Sequence, residues 1–396
     1  MSNIFQNIKG DKVIWVVVVI LSVLSVLAVY SSTGTLAFKK QGGNTEYYLL
    51  KHLIILLFGF GLMFLTYRLK YNYYSRISQG AIAAAVLLLI GTLFTGTHLN
   101  EASRWLTLPI INVTFQSSDF AKLALIMYLA RLLSKKQDNI KDFKGAFLPV
   151  LLPIIIICGL ILPENFSTAA LLFVTSFVML FVGRVNIRYL LSLVGVGMAA
   201  LFILLLIISQ SPSKGRLGTW KHRIENFTNG EASDEDYQVE QSKIAIATGG
   251  VLGKLPGKST QRNFLPHPYS DFIYAIIVEE YGFLMGGLGL ILLYLILLQR
   301  ATRITARSPG TFGALLSIGI GFSLVFQAMI NMAVAVNLLP VTGQPLPLVS
   351  MGGTSIWFSC IGIGMILSVS REIENKNQPT SKSEVPENLA AIPNEG

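Results

Sequence analysis

AFLPVLLPIIIICGLILPENFSTAALLFVTSFVMLFVGRVNIR, residues 146–188, decides how often this chain crosses a bilayer. An α-helix rises 1.5 Å per residue, so about 20 apolar residues cover about 30 Å of hydrocarbon. The stretch is therefore either one long helix or two short spans, 146–162 and 167–183, joined by Pro163-Glu164-Asn165-Phe166. Charge on the loops around it separates the two.

Further apolar runs place spans near 13–30, 49–67, 80–97 and 115–133 before this stretch, and near 189–208, 272–298, 313–336 and 354–370 after it. They are continuous rather than alternating, so they form helices and not barrel strands. Basic residues collect on the cytoplasmic side of membrane proteins. With ten spans and the N-terminus inside, the even-numbered connections carry Arg68, Lys70 and Arg76; Arg131, Lys135, Lys136, Lys141 and Lys144; Arg184 and Arg188; Arg300, Arg303 and Arg307. The short odd-numbered connections hold only Lys39, Lys40, Lys51 and Arg104. Fusing the fifth and sixth spans would put Arg300, Arg303 and Arg307 on the wrong side. The sequence predicts an all-α, polytopic membrane protein of ten helices with both termini in the cytoplasm.

Composition agrees: of 396 residues 52% are hydrophobic and 13% charged, against roughly 25% charged in soluble domains. The net charge of +10 sits in short loops and orients the chain, so nucleic acid is not indicated as a partner. Cys158 and Cys360 both lie in apolar runs and indicate neither a disulfide framework nor a metal site. The first run follows Lys9 and Lys12 as in a signal sequence but has no small-residue cleavage site, so it reads as an uncleaved helix.

Residues 1–370 thus make one ten-helix membrane domain. Its longest connection, about 209–270, mixes eight basic with six acidic residues and lies outside. Trp220, Phe227 and Phe264 give it enough apolar surface to expect partial order. Residues 371–396 are polar and are expected to be a disordered cytoplasmic tail.

Ionisable groups at membrane depth are costly and mark candidate sites. Here they are Asp119, Lys122, Asp271, Glu279 and Glu280. Gln116-Ser117-Ser118-Asp119 opens the fourth span, where Asp119 has two structural roles open to it, capping the helix or pairing with Lys122. Asp271 follows Pro266-His267-Pro268-Tyr269-Ser270 at the outer boundary of a helical run, where capping alone would explain a carboxylate. Glu279 and Glu280 lie either within the eighth span or, if 272–280 is a shallow re-entrant segment and the span begins near Tyr281, in the wall of an outer cavity. The Gly/Pro-rich Leu339-Pro340-Val341-Thr342-Gly343-Gln344-Pro345-Leu346-Pro347 and Ser350-Met351-Gly352-Gly353-Thr354-Ser355 form non-helical backbone, tolerated at this depth where protein covers it or a cavity opens.

These motifs, in order, resemble the SEDS family of FtsW, RodA and SpoVE proteins. The resemblance rests on Ala102-Ser103-Arg104-Trp105, on Phe115-Gln116-Ser117-Ser118-Asp119-Phe120-Ala121-Lys122, and on Tyr237-Gln238-Val239-Glu240-Gln241-Ser242. Leu265-Pro266-His267-Pro268-Tyr269-Ser270-Asp271-Phe272, Glu279-Glu280-Tyr281-Gly282-Phe283 and the final Gly352-Gly353-Thr354-Ser355 complete it. It covers nearly the whole chain except the tail. It implies a peptidoglycan glycosyltransferase that polymerises lipid II at the outer face of the cytoplasmic membrane. In that family the aspartate at the position of Asp271 is the essential one, and its chemistry fits a general base.

The resemblance further implies that the pyrophosphate leaving group meets cations, with Arg104 and Lys122 as candidates and a divalent ion such as Mg2+ as a further one. Gln116, Asp119, Gln241, Ser242, Glu279, Glu280, Ser350, Gly352 and Gly353 are the remaining substrate-binding candidates by motif. This chain departs from the family at His267, at Ser270 and at Asn165, which stands where the family has aspartate; Ser118-Asp119 replaces Pro-Ser-Glu. Asn331-Met332-Ala333-Val334-Ala335-Val336-Asn337-Leu338-Leu339-Pro340 and the polar tail look FtsW-like. That implies a septal role with other divisome proteins and a class B penicillin-binding transpeptidase as partner. Competing functions are a lipid II flippase, an elongation-type polymerase of the RodA kind, and a scaffold without enzymatic activity.

Overall fold

The computed structural model describes residues 9–42, 44–95, 97–99, 102–108, 113–210, 218, 234–266 and 268–377. Trp220, Phe227, His267 and the tail beyond residue 377 lie outside the described residues, as does the side chain of Arg104. The elements are α1 (Lys12–Ser32), α2 (Gly34–Gln41), α3 (Thr45–Arg68), α4 (Asn72–Thr95), strands β1 (Thr97–Leu99), β2 (Ala102–Leu108) and β3 (Val113–Gln116), then α5 (Ser117–Lys135), α6 (Leu148–Ile161), α7 (Phe166–Val182) and α8 (Ile187–Gln210). There follow α9 (Asp234–Gly249), α10 (Ile273–Gly282), α11 (Gly289–Arg307), α12 (Thr311–Ala335) and α13 (Thr354–Asn377). Short π-helical turns, Phe143–Phe147 and Phe283–Leu288, lead into α6 and α11.

Among the described residues eight helical segments are long and apolar enough to cross a membrane, and α7 is a shorter apolar helix of 17 residues. The tenth, α5, has 19 residues and carries Asp119, Lys122 and Arg131. It is buried on nearly every side, from Ser117 through Leu133, and packs against α12 and α13. This charged span is thus largely enclosed by protein, where its charges meet partners instead of lipid.

Residues 146–182 do divide in two. Helix α6 stops at Ile161: Leu162 keeps helical backbone, φ −53° and ψ −47°, but Pro163 has no N–H to carry the hydrogen-bond ladder further. Buried Asn165 opens α7 by accepting from Thr168 N at 3.2 Å, so the side chain at this departure from the family pattern is a helix cap. The two ends of the chain meet at one face, as an even number of spans requires. Lys9 Nζ donates to Asn375 Oδ1 at 3.0 Å, Gly10 N donates to Glu374, and Asp11 pairs with Arg300 at 2.8 Å while capping α1. The last helix therefore runs past the expected boundary at 370, to Asn377.

Two features differ from an all-helical reading. The connection from α4 to α5 is a three-stranded antiparallel sheet in the order β1-β2-β3, with Trp105 opposite Gln116. Three short segments with few periods were too brief for alternation to register in the sequence. The eighth span begins late, as the second of its two possible starts had it. Gly282 adopts φ 79°, ψ 171°, and the chain doubles back there: a Cβ on Gly286 would strike Ile277 O, and one on Gly287 would touch Tyr274. Helix α10 is therefore a re-entrant arm lying against the start of α11, and its residues Ile273–Glu280 are all buried.

The arm's tip is locked backbone to backbone. Lys254 N and Leu255 N donate to Glu279 O and Glu280 O, each at 2.9 Å, and Phe283 N donates to Gly250 O at 2.8 Å. A Cβ on Gly282 would run into Val251 O, Leu252 C and Gly253 N, and its φ is one that side chains rarely adopt. Gly282→Ala is expected to cost about 2 kcal/mol or more, read as thermal melting in detergent. Gly61→Ala is the control, because nothing lies within 4 Å of the added methyl.

Candidate active site

The non-helical segment between α12 and α13 is the centre of the site. It carries left-handed backbone at Asn337, Gly343, Leu348 and Gly353 and few regular hydrogen bonds, so side chains from the surrounding helices must hold it. From α1, Ser25 Oγ donates to Val349 O at 2.7 Å and lies 2.7 Å from buried His52 Nε2 on α3. From α11, Tyr294 OH donates to Pro347 O at 2.5 Å. From α12, Gln327 Nε2 reaches Pro345 O and Asn331 Nδ2 reaches Gln344 O, both at 2.8 Å. At the start of α7, Thr168 Oγ1 accepts from Gln344 Nε2 at 2.7 Å. Ser25 lies seven residues, about 10 Å of helix, below the outer end of α1, so the segment dips into the bundle under protein cover.

Asp271 stands against this segment. It is half-buried, its Oδ1 accepts from Ser270 Oγ at 2.9 Å, and a Cβ on Gly343 would sit 3.8 Å from its Oδ2. It does not cap α10: the cap residue is Phe272, and no side chain bonds there. Its main chain is fixed on both sides. Asn331 Nδ2 donates to Asp271 O at 2.8 Å, Ser350 Oγ donates to Ser270 O at 2.6 Å, and Met351 N donates to Tyr269 O at 2.9 Å. Burial raises the Tyr269 phenol above its usual range, with nearby Tyr48 and the Asp271 carboxylate adding to the shift. Asp271 thus stands beside a neutral phenol, on a main chain held by Asn331 and Ser350.

Ser350 also accepts from Leu346 N at 2.8 Å, so one hydroxyl ties both arms of the segment's turn to the Asp271 strand. Ser350→Ala leaves Leu346 N orphaned in a buried place. The expected loss is about 1–3 kcal/mol, read as a drop in melting temperature.

Asp119 and Lys122 pair at 2.9 Å, three residues apart on α5, with only 5% and 9% of their surfaces exposed. The pairing role holds and capping does not, since the α5 cap residue is Gln116 and no side-chain cap bond forms. Lys122 Nζ also donates to Gln327 Oε1 at 3.0 Å. The pair lines a cavity of about 40 Å³ among α5, α12 and α13, together with Ser323, Gln327, Ser355 and Ser359. Gln116 Nε2 bonds Ser118 Oγ at 3.0 Å, and Gln116 N faces Thr354 Oγ1 at 3.4 Å, which brings β3 to the start of α13. Strand β2, with Arg104, runs beside β3 above these groups. Gly353 supplies left-handed backbone there, φ 46°, and Gly352 sits close to Ser355.

Four candidates lie away from this centre and bond within the scaffold or beside it. Ser242 Oγ, buried on α9, donates to Ala335 O at 2.7 Å and ties the outer loop to the end of α12, with Gln241 half-buried beside it. Glu279 accepts from Lys254 Nζ at 2.7 Å, from Thr260 Oγ1 at 2.8 Å, from Thr260 N at 3.1 Å, from Gln261 N at 3.3 Å and from Ser259 Oγ. Glu280 accepts from Ser31 Oγ and from Ser259 N at 3.4 Å, and the Arg262 guanidinium donates to Ser31 Oγ at 3.1 Å. Both carboxylates lie at the far end of α10 from Asp271 and hold down the loop over 254–262. Gln327, Asn331, Gln344 and Thr168 were not among the site candidates read from the sequence, although Gln327 and Asn331, four apart in an apolar span, share one helix face. Among the described residues no three of His, Cys, Asp or Glu are grouped to hold a metal, so the described residues alone do not form a closed divalent-ion site.

A family model for cell cycle proteins, covering FtsW, RodA and SpoVE, matches residues 11–375. A probable peptidoglycan glycosyltransferase FtsW from Trichlorobacter lovleyi is 35% identical over 373 residues, covering 92% of this chain and 94% of that one. Stage V sporulation protein E of Bacillus subtilis is 31% identical over 92% of this chain and 98% of its own. Among solved structures, one from a peptidoglycan synthase complex aligns with TM-score 0.75 and 25% identity over 92% of this chain and 98% of that one. The rod shape determining protein RodA of Thermus thermophilus aligns with TM-score 0.67 and 26% identity over 93% and 98%. The chain belongs to the family of FtsW, RodA and SpoVE cell cycle proteins.

Proposed function

We propose that this chain is a peptidoglycan glycosyltransferase of the FtsW type, polymerising lipid II at the outer face of the cytoplasmic membrane during septal division. The observation that carries it is the Asp271 carboxylate, held by its main chain against the covered non-helical segment and free of any capping duty. The 4-hydroxyl of the acceptor's GlcNAc attacks the anomeric carbon of the donor. Asp271 takes the hydroxyl proton, and undecaprenyl pyrophosphate leaves with the electron pair of the broken bond. The leaving group's charge needs cations. Lys122 is committed to Asp119 and Gln327, so serving a phosphate requires it to exchange partners, whereas Arg104 on β2 offers the better bidentate geometry.

Gln116 and the Gly352-Gly353 turn border the same region and are the proposed contacts to substrate. The partner is a class B penicillin-binding transpeptidase whose outer domain reaches the loop over 234–266. Purified chain with that partner should make glycan strands from lipid II, and should do so in the presence of Asp271 only. Flipping of lipid II headgroups in proteoliposomes without glycan products would favour the transporter instead.

A further inference from the structure

We propose that Asn331, seconded by Gln327 one helical turn before it, is the positioning residue that sets where the Asp271 carboxylate stands. The proposal rests on the glycosyltransferase function above. A primary amide nitrogen has two protons, and Asn331 Nδ2 spends both: one on Asp271 O and one on Gln344 O, each at 2.8 Å. Two carbonyl oxygens on one side fix the orientation of the amide, nitrogen towards them. The side chain is 1% exposed, so solvent does not substitute for either bond.

Asn331 is therefore a spacer of set length between two stretches, the entry to α10 and the non-helical segment, and it bonds at Asp271 itself where Met351 N and Ser350 Oγ hold the residues before it. Its bond goes to the main chain of Asp271 and not to the carboxylate, so it moves no proton; it fixes the place from which the carboxylate acts. Gln327, on the same face of α12, extends the row. It holds Pro345 O at 2.8 Å with its nitrogen and accepts from Lys122 at 3.0 Å with its oxygen. One face of α12 thus registers the segment against the acid on one side and the buried ion pair on the other. No cap, strand or continuous helix supplies that register, because Gly343 and Leu348 are left-handed and the backbone between them follows no ladder.

The test uses the full chain with its transpeptidase partner, lipid II, and the variants Asn331→Ala, Asn331→Asp and Asp271→Ala. Asn331→Asp keeps the shape but turns a carboxylate towards two carbonyls, whereas Asn331→Ala brings no buried charge, so the alanine variant is the one that keeps a folded chain available. Both Asn331 variants are expected to lower kcat about tenfold to a hundredfold, the scale of a displacement near 1 Å, with KM for lipid II close to wild type. Hydrogen exchange should quicken at 268–272 and 343–347 and not elsewhere. Normal kcat in both variants overturns the proposal, and so does a loss of kcat accompanied by faster exchange throughout the chain, which marks a folding defect. Asp271→Ala separates the two levels. If it polymerises normally, the glycosyltransferase chemistry itself fails; if it is inactive while the Asn331 variants are normal, only the spacer fails.

Discussion

Asp271→Ala is expected to lower lipid II polymerisation by about 10²–10⁴-fold, the range a positioned general base supplies. The loss should come without unfolding. The carboxylate's hydrogen bond is a local one to Ser270, it caps no helix, and the main chain at 271 is held by Asn331 whatever the side chain. Melting temperature and transpeptidase binding should therefore stay near wild type. Asp271→Asn keeps the size and the Ser270 contact but not the basicity, so it should lose as much activity as alanine does. Glycan strands resolved by gel, alongside a melting curve, decide the matter: a folded, partner-bound alanine variant polymerising at the normal rate would refute the assignment. An asparagine variant with most of its activity left would instead make the role one of contact rather than proton transfer.

The membrane architecture was legible because its signals are long and redundant. Loop charge alone split 146–183 into two spans, and Asn165 at the cap of α7 is the local chemistry behind that division. Asp271 was legible as a residue but not as a role, since an acid ahead of a helical run has capping as its ordinary explanation. Glu279 and Glu280 were legible only in part for a related reason. Adjacent acids in an apolar run announce partners, yet the partners are Ser31, Lys254, Ser259 and Thr260, brought in by a turn at Gly282 that hydropathy does not register. Asn331 was legible only as part of a motif and Gln327 not at all, because uncharged amides barely lower the apolarity of a span. What gives them meaning is a pair of main-chain carbonyls that only the folded loop presents.

Glu279→Ala should have the largest effect on stability. The carboxylate is fully buried and gathers five donor groups from a short stretch, the Lys254 ammonium, both hydroxyls of Ser259 and Thr260, and the amides of Thr260 and Gln261. Removing one partner of a buried charged network costs about 3–5 kcal/mol, because the groups left behind lose their bonds without regaining water. Lys254 is 29% exposed and recovers hydration, so the cost falls towards the lower end of that range and comes mainly from Ser259, Thr260 and Gln261. The damage should be local: the stretch over 254–262 loses its anchor while the spans keep theirs. Limited proteolysis should then cut within 250–262 in the variant and not in wild type, and the melting transition should fall. Glu279→Gln retains one acceptor oxygen but not the charge, so it should lie between the two. An alanine variant that melts with wild type and resists cleavage there would mean that the backbone bonds from Lys254 and Leu255 to the end of α10 suffice to hold the loop. In that case Glu279 returns to the list of groups available to a substrate. If the loop does open, Leu265 and the turn leading to Asp271 follow directly from it, so polymerisation should fall with stability in this variant, in contrast to Asp271→Ala, where activity alone is lost.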